Sequence, residues 1–198
     1  MHKIRIALHI LFGGVIGFLY FGKFGLVVPF NARITGKKKI QIGESFGAGS
    51  GLWLEAINSY KNVCHTPKIE IGKNVSFGYW CHVGAIGSIK IKDDVLFGSR
   101  VLVTDHSHGK YGGHDVSNPF QSSPIDRPLS YTGPIIIEKN VWIGDGVVIL
   151  GGVTIGEGVV IAANSVVTKS IPEGVIAGGV PAKIIKSYSK ELNQWVCV

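Results

Sequence analysis

Histidine is the side chain best placed to accept a proton near neutral pH. The segment Asp105-His106-Ser107-His108-Gly109 sets two of them beside a carboxylate. His106 follows the apolar stretch Val101–Val103, where a strand would end and the chain would turn outward. That position suits a general base, with His108 as the rival imidazole. Asp105 reads equally well as an orienting carboxylate or as an ordinary turn residue. His82 and His114, added to His106 and His108, would also admit a three-histidine zinc site of hydratase type, which stays open as an alternative. Cys64, Cys81 and Cys197 fit neither a zinc spacing nor a disulfide framework and read as reduced thiols.

The elements that position these groups are written in a six-residue repeat. From Ile137 the chain runs Ile137-Glu-Lys-Asn-Val141-Trp, Ile143-Gly-Asp-Gly-Val147-Val, Ile149-Leu-Gly-Gly-Val153-Thr and Ile155-Gly-Glu-Gly-Val159-Val. Two more hexads start at Ile161 and Val167. Earlier copies start at Ile42, Ile71, Phe77 and Val83, and after a phase slip at Ile91, Phe97 and Val103. Six is neither a helical period nor simple strand alternation. It means a short strand, a tight turn and another strand, with the first-place aliphatic pointing inward and a small residue beside it at the turn. Three hexads, such as Ile137 to Ile155, close one coil. Each coil buries little alone, so stability comes from stacking roughly six or seven of them. Ile137, Ile143, Ile149, Ile155 and Ile161 should all face the core.

Breaks in phase mark insertions. Residues 104–134 hold almost no repeat and carry Gly112, Gly113, Pro119, Pro124, Pro128 and Pro134, so they must leave the coil as a loop. Long loops on rigid scaffolds are where function concentrates. Arg127 and Tyr131 in this loop present guanidinium and phenol groups suited to a sugar or its phosphate. A smaller insertion lies between Ile42 and Ile71. With 28 Gly, 45% hydrophobic residues and only 17% charged, the composition points to an all-β chain rich in turns.

The net charge of +7 fits a site or surface that attracts anions. Nucleic acid is not expected, because no basic-aromatic interleaving or binding motif appears. Residues 1–33 are largely apolar, with Lys3 and Arg5 before the run and Lys23, Arg33 and Lys37 after it. The run lacks a signal-peptide cleavage site, is short for a membrane span and shows no positive-inside asymmetry. It reads as a cap on the solenoid or a segment resting on a membrane surface. Residues 34–186 form the solenoid domain, and residues 187–198 read as a short closing helix.

Asp105-His106-Ser107-His108-Gly109, Ile137-Glu-Lys-Asn-Val-Trp142-Ile-Gly, Ala162-Ala-Asn-Ser-Val-Val-Thr168-Lys169 and Gly178-Gly-Val-Pro181-Ala-Lys183 together resemble the hexapeptide-repeat acetyltransferases. Lys186-Ser-Tyr188, Gln194-Trp195 and the apolar amino terminus look more like the O-antigen acetyltransferases of lipopolysaccharide biosynthesis. The resemblance implies a left-handed parallel β-helix, a homotrimer with active sites between subunits, and acetyl-CoA lying along the solenoid wall. It implies His106 as the base and the backbone N–H of Asp145 as the oxyanion donor. Trp142 would wall the thioester channel, and Ala163, Thr168, Lys169, Lys183 and Lys186 would contact the coenzyme. Lys183 and Lys186 stand where better-known members carry arginine, which keeps charge for the phosphates but loses the bidentate fork. The acceptor side is less defined, with His82, His108, Arg127 and Tyr131 as candidates. No resident metal is implied.

The expected activity is transfer of acetyl to a sugar hydroxyl in O-antigen or capsule biosynthesis, in the cytoplasm or at the inner face of the cytoplasmic membrane. The acceptor may be classed three ways: nucleotide-linked, lipid-linked or free. Acetylation of a small free acceptor, such as an antibiotic, a free sugar or serine, is the nearest alternative.

Overall fold

In the computed structural model, residues 2–114 and 116–198 are described, with side chains from Ile10 onward. Lys3 and Arg5, named above as flanking cations, lie outside the described side chains. Short strands stack into three sheets that form the walls of a solenoid. The first wall stacks Arg33–Thr35, Trp53–Ala56, His82–Ala85, Leu102–Thr104, Val148–Leu150 and Val166–Val167, all parallel. The second stacks Ile40–Ile42, Lys68–Ile71, Ser88–Ile91, Ile135–Ile137 and Val153–Ile155. The third runs from Gly47–Ala48 through Ser76–Phe77, Leu96–Phe97, Trp142–Ile143 and Val160–Ile161 to Val175–Gly178. The six-stranded first wall corresponds to six coils.

The register explains the hexad. Ile42, Ile71, Ile91, Ile137 and Ile155 fall in one column of the second wall. Ala48, Phe77, Phe97, Ile143, Ile161 and Ala177 make a column of the third, where Phe77 and Phe97 stack at 4.2 Å. Ile137, Ile143, Ile149, Ile155 and Ile161 are all fully buried, as the repeat requires. Where glycine fills the second hexad place, the reason is steric. A Cβ on Gly144 would lie 2.6 Å from the Ala163 backbone nitrogen, and one on Gly98 would lie 2.3 Å from Asp145 Oδ1. The coils could not close to strand-pairing distance over a larger residue there.

Two insertions break the coils. Between Thr104 and Ile135 the chain folds out as an antiparallel hairpin, His106–His108 against Leu129–Tyr131, carrying the longer loop at its tip. A second hairpin, Ser59–Tyr60 against Val63–Cys64, leaves the wall two coils below it. Tyr60 Oη donates to the Ile125 carbonyl at 2.8 Å, and Lys61 Nζ meets Asp126 Oδ1 at 2.8 Å. The shorter insertion therefore braces the longer one.

The ends of the solenoid are closed differently. At the amino end, helix His2–Phe21 packs on the first coil. Gly13 accepts a hydrogen bond from Val28 N–H at 3.0 Å, and Gly17 abuts the Leu26 backbone, so small residues bring helix and rung together. Leu26 and Val28 are fully buried beneath it, while Leu11, Phe12 and Leu19 stay exposed. Among the described residues no helix is long and apolar enough to cross a membrane. At the carboxyl end the expected helix over 187–198 is not formed. Lys183–Ser189 pairs antiparallel with Val175–Gly178, and Gln194–Cys197 pairs with it in turn, through a turn with Asn193 at φ 50°. Tyr188, Trp195, Val196 and Cys197 favour strands, and the open edge of the third wall offers unpaired backbone groups that a helix would leave bare.

The adjacent residues Ile136 and Ile137 separate packing from propensity, since Ile137 is fully buried and Ile136 faces outward. Ile137→Ala should cost about 2–5 kcal/mol, the usual range for a buried aliphatic. Ile136→Ala should cost well under half of that. Chemical denaturation midpoints of the two variants check the difference.

Candidate functional site

The outer side of the first wall and the hairpin above it gather the chemistry-bearing side chains. His106 opens the hairpin, two residues after Thr104, and its side chain is only 12% exposed. His106 Nδ1 lies 3.1 Å from Asp105 Oδ1 and 3.3 Å from Thr104 Oγ1. Asp105 is fully buried. Its Oδ1 also accepts from Ile86 N–H and its Oδ2 from Gly87 N–H, both at 2.9 Å. A buried carboxylate is tolerable only when it is paired and hydrogen-bonded, and these donors satisfy it. With Asp105 accepting the Nδ1–H, the other ring nitrogen keeps its lone pair, the tautomer a general base needs. Asp105 therefore orients the imidazole and is no ordinary turn residue.

The other predicted residues separate. His108 sits edge-on to the Tyr60 ring at 5.2 Å, in the brace between the two insertions. Tyr131 pairs across the hairpin with His106, and its ring fills the space over Gly87. Burial, and then the Asp105 carboxylate, raise the Tyr131 phenol above its usual value, which keeps it a neutral donor. Arg127 is turned into the loop itself. It is 7% exposed, with Nε donating to Ser122 Oγ, Nη1 to Tyr111 Oη, and Nη2 to the Pro119 and Ser122 carbonyls. A loop without repeat has no strand ladder, and this guanidinium ties its turns together instead. Cys81 is buried with Sγ 3.1 Å from the Gly98 carbonyl, and burial pushes its thiol up, away from nucleophilic use.

His82 has partners that sequence spacing does not reveal. Its Nε2 lies 3.1 Å from Glu55 Oε1, 27 residues away, and its ring stacks on Trp53 at 4.1 Å. Neither Glu55 nor Trp53 stands out in the sequence. They meet His82 because Trp53 and His82 share a register column, and the inserted hairpin between them hides that register. Among the described residues no three His, Cys, Asp or Glu side chains gather as a metal site.

Trp142 lies on the third wall, exposed, in a column with Val160, Ile176 and Lys186. Lys183 pairs in register with Gly178 beside this column. Ala163 lies at the corner into the first wall, and Thr168 and Lys169 at the corner out of it; all three are exposed. Among the described residues Lys169, Lys183 and Lys186 have no carboxylate partner. Asp145 precedes strand Val148–Leu150, its carboxylate accepting from Ser99 N–H at 2.6 Å. Its own backbone N–H has no acceptor among the described residues. His106 lies past the other end of that wall, since Thr104 pairs with Leu150. The wall between them is about three residues wide, or about 10 Å at the usual strand rise.

The family described as bacterial transferase hexapeptide (six repeats) matches residues 134–169. Over 170 residues the chain is 38% identical to WbbJ of Escherichia coli (strain K12), named as a lipopolysaccharide biosynthesis O-acetyl transferase. That match covers 85% of this chain and 82% of the relative. Galactoside O-acetyltransferase of the same organism is 35% identical over 156 residues, 77% of this chain and 70% of the relative. Among solved structures, a mutant of AntD, an N-acyltransferase from Bacillus cereus in complex with dTDP and coenzyme A, shares the fold. Its TM-score is 0.62 at 24% identity, over 84% of this chain and 83% of that one. The stacked hexads, the histidine hairpin and a relative this similar over most of both lengths lead to one assignment: the chain belongs to the hexapeptide-repeat transferase family and is one of its O-acetyltransferases.

Proposed function

We propose that the chain moves acetyl from acetyl-CoA directly to a hydroxyl of a sugar destined for cell-surface polysaccharide. The observation that carries this reading is the His106 imidazole, held at Nδ1 by a buried, fully bonded carboxylate. The free ring nitrogen takes the proton of the acceptor hydroxyl while that oxygen bonds to the thioester carbonyl carbon. As the carbon–sulfur bond breaks, the imidazolium returns the proton to the departing thiolate. The Asp145 N–H, lacking an acceptor of its own, receives the negative charge on the carbonyl oxygen in between. No acyl-enzyme is needed, because alignment of the two substrates supplies the rest.

Trp142, Lys183 and the half-buried Lys186 on the third wall, with Ala163, Thr168 and Lys169 at the corners, form an outward-facing track with cations that lack carboxylate partners among the described residues. That chemistry suits the phosphates and pantetheine arm of coenzyme A. Names of the relatives, one acting in lipopolysaccharide biosynthesis and one on galactosides, support a sugar acceptor.

His106 and Asp145 flank opposite edges of one wall, too far apart to act on one carbonyl within a single copy. A second copy would supply the missing half, so we propose a homotrimer with sites between subunits. The exposed apolar side of the amino-terminal helix, extended by Phe24 and Phe30, lies near Lys37, Lys38 and Lys39, which are exposed and without carboxylate partners among the described residues. Apolar groups rimmed by cations fit an anionic membrane surface, the inner face of the cytoplasmic membrane, where lipid-linked acceptors would be found.

General-base loss usually costs about 10²–10⁴-fold in rate. His106→Ala should therefore lower kcat at least about 10²-fold, with coenzyme A affinity by calorimetry unchanged. His108→Ala should cost far less, and the opposite order would show that the wrong imidazole was chosen. Sedimentation equilibrium should give a trimer; a monomer that remains active would overturn the shared site. Flotation should recover the protein with phosphatidylglycerol vesicles but not with phosphatidylcholine vesicles. Leu11→Asp with Leu19→Asp should abolish flotation while leaving the trimer intact. If these changes dissociate the trimer and wild-type protein ignores both vesicles, the helix face belongs to another copy of the chain.

A further inference from the structure

Beside His106 stands a rigid unit that the transfer chemistry does not use. Arg33, Trp53 and His82 occupy one register column on the outer side of the first wall. The Arg33 guanidinium carbon lies 5.0 Å from the Trp53 ring centroid, and the His82 ring stacks on the indole at 4.1 Å with 9° between planes. Both neighbours of the indole are thus in place, and the indole has little face left for a ligand. Its effect is to fix the plane of His82. Glu55 fixes the rest by accepting the Nε2–H of His82. Nδ1 is then an acceptor, and among the described residues nothing donates to it. The pair stays accessible, His82 with 28% and Glu55 with 20% of the side chain exposed.

Gly84 joins this unit to His106. It pairs in register with Glu55 on one side and Thr104 on the other. A Cβ on Gly84 would lie 3.2 Å from His82 Nε2, 3.4 Å from His106 Cε1 and 3.5 Å from Glu55 Oε1. The missing side chain leaves a notch bordered by two imidazoles and one carboxylate. Glu55 Oε1 borders it as an acceptor, fixed by the His82 Nε2–H, and His106 keeps an acceptor at the nitrogen away from Asp105. A lining of acceptors selects a ligand rich in donors and disfavours phosphate or carboxylate at that spot.

We infer that Glu55 is a specificity-determining residue, positioned by His82, that reads a second hydroxyl of the acceptor, next to the one His106 deprotonates. This rests on the acetyl transfer proposed above and narrows its acceptor to a sugar whose acetylated hydroxyl has a free hydroxyl neighbour and no anionic group there. Glu55 Oε1 and His106 Cε1 both lie within 3.5 Å of the point where a Gly84 Cβ would sit, close enough for two hydroxyls on one ring to meet both groups. A site built to bond a hydroxyl rejects the analogue lacking it, because an acceptor that the bound sugar shields from water is left unpaired.

The test uses acetyl-CoA, the methyl glycosides of galactose, glucose and N-acetylglucosamine, and the monodeoxy forms of whichever is acetylated. On the intact glycoside, Glu55→Gln and His82→Ala should each raise the acceptor KM about 10-fold or more, with kcat changed far less and the KM for acetyl-CoA unmoved. One monodeoxy analogue should show the same rise with the wild-type enzyme, and on it the variants should add little further loss. His82→Asn, which keeps a donor for Glu55, should recover part of the affinity, and thermal midpoints near wild type would separate this from a folding defect. If the variants lower activity equally on every analogue, or change kcat alone, the inference is overturned while acetyl transfer stands. Transfer to none of the glycosides would overturn the inference and the sugar reading together.

Discussion

A single coil of this solenoid cannot hold itself together. Its strands are two to four residues long, and every one finds its backbone partners in the coils above and below. The inward aliphatics likewise touch their counterparts in adjacent coils, as the columns through Ile137 and Ile143 show. Stability is therefore a sum of coil-to-coil interfaces, and register is the quantity that must not slip. Everything functional is referred to that register. Glu55, Gly84 and Thr104 stand side by side because three coils are in step, although long stretches of chain separate them.

The same constraint explains why the site can afford a loop. Where the chain leaves the coil after Thr104, the ladder loses its next rung, and the N–H groups of Ile86 and Gly87 in the coil below would go unpaired. Asp105 supplies its two carboxylate oxygens in place of the missing backbone. One residue thus seals the break in the wall and fixes the His106 ring. The hairpin above it repeats the pattern on a larger scale. Its exposed ion pair, Lys61 with Asp126, contributes little by itself. The buried Arg127 network, with four hydrogen bonds inside the loop, gives the tip a shape that the absent repeat cannot.

The hexads made the solenoid, its inward residues and the excursion over 104–134 legible from the amino-acid order, because each is local in sequence. The place of His106 was legible for the same reason: the strand pattern stops just before it, where the chain leaves the wall. Glu55 and Trp53 were not, since pairing them with His82 needs a coil count that the inserted hairpin over 59–64 obscures. Arg127 misled because its residue type suits a phosphate equally well, and only its burial shows the guanidinium spent on the loop. The carboxyl end misled because Glu191 and Leu192 favour a helix while the bare sheet edge beside Val175–Gly178 favours strands. Tertiary pairing decided it.

Placement of the two halves of the chemistry on different walls is itself informative. A triangular solenoid has flat walls and sharp corners, so it has no deep cleft of its own in which to enclose a thioester. The outward-facing column Trp142–Val160–Ile176–Lys186 and the hairpin bearing His106 both lie on the outside of one copy. Acyl transfer wants water excluded and donors already oriented, and flat walls achieve that only against another surface. In the assembly proposed above, packing wall against wall between identical copies would meet this need with no change in the repeat. The extruded hairpin would then do more than carry a histidine. Phe120 at 96% and Ile125 at 64% exposure on its tip are apolar groups that a lone coil leaves in water, and a neighbouring copy would bury them.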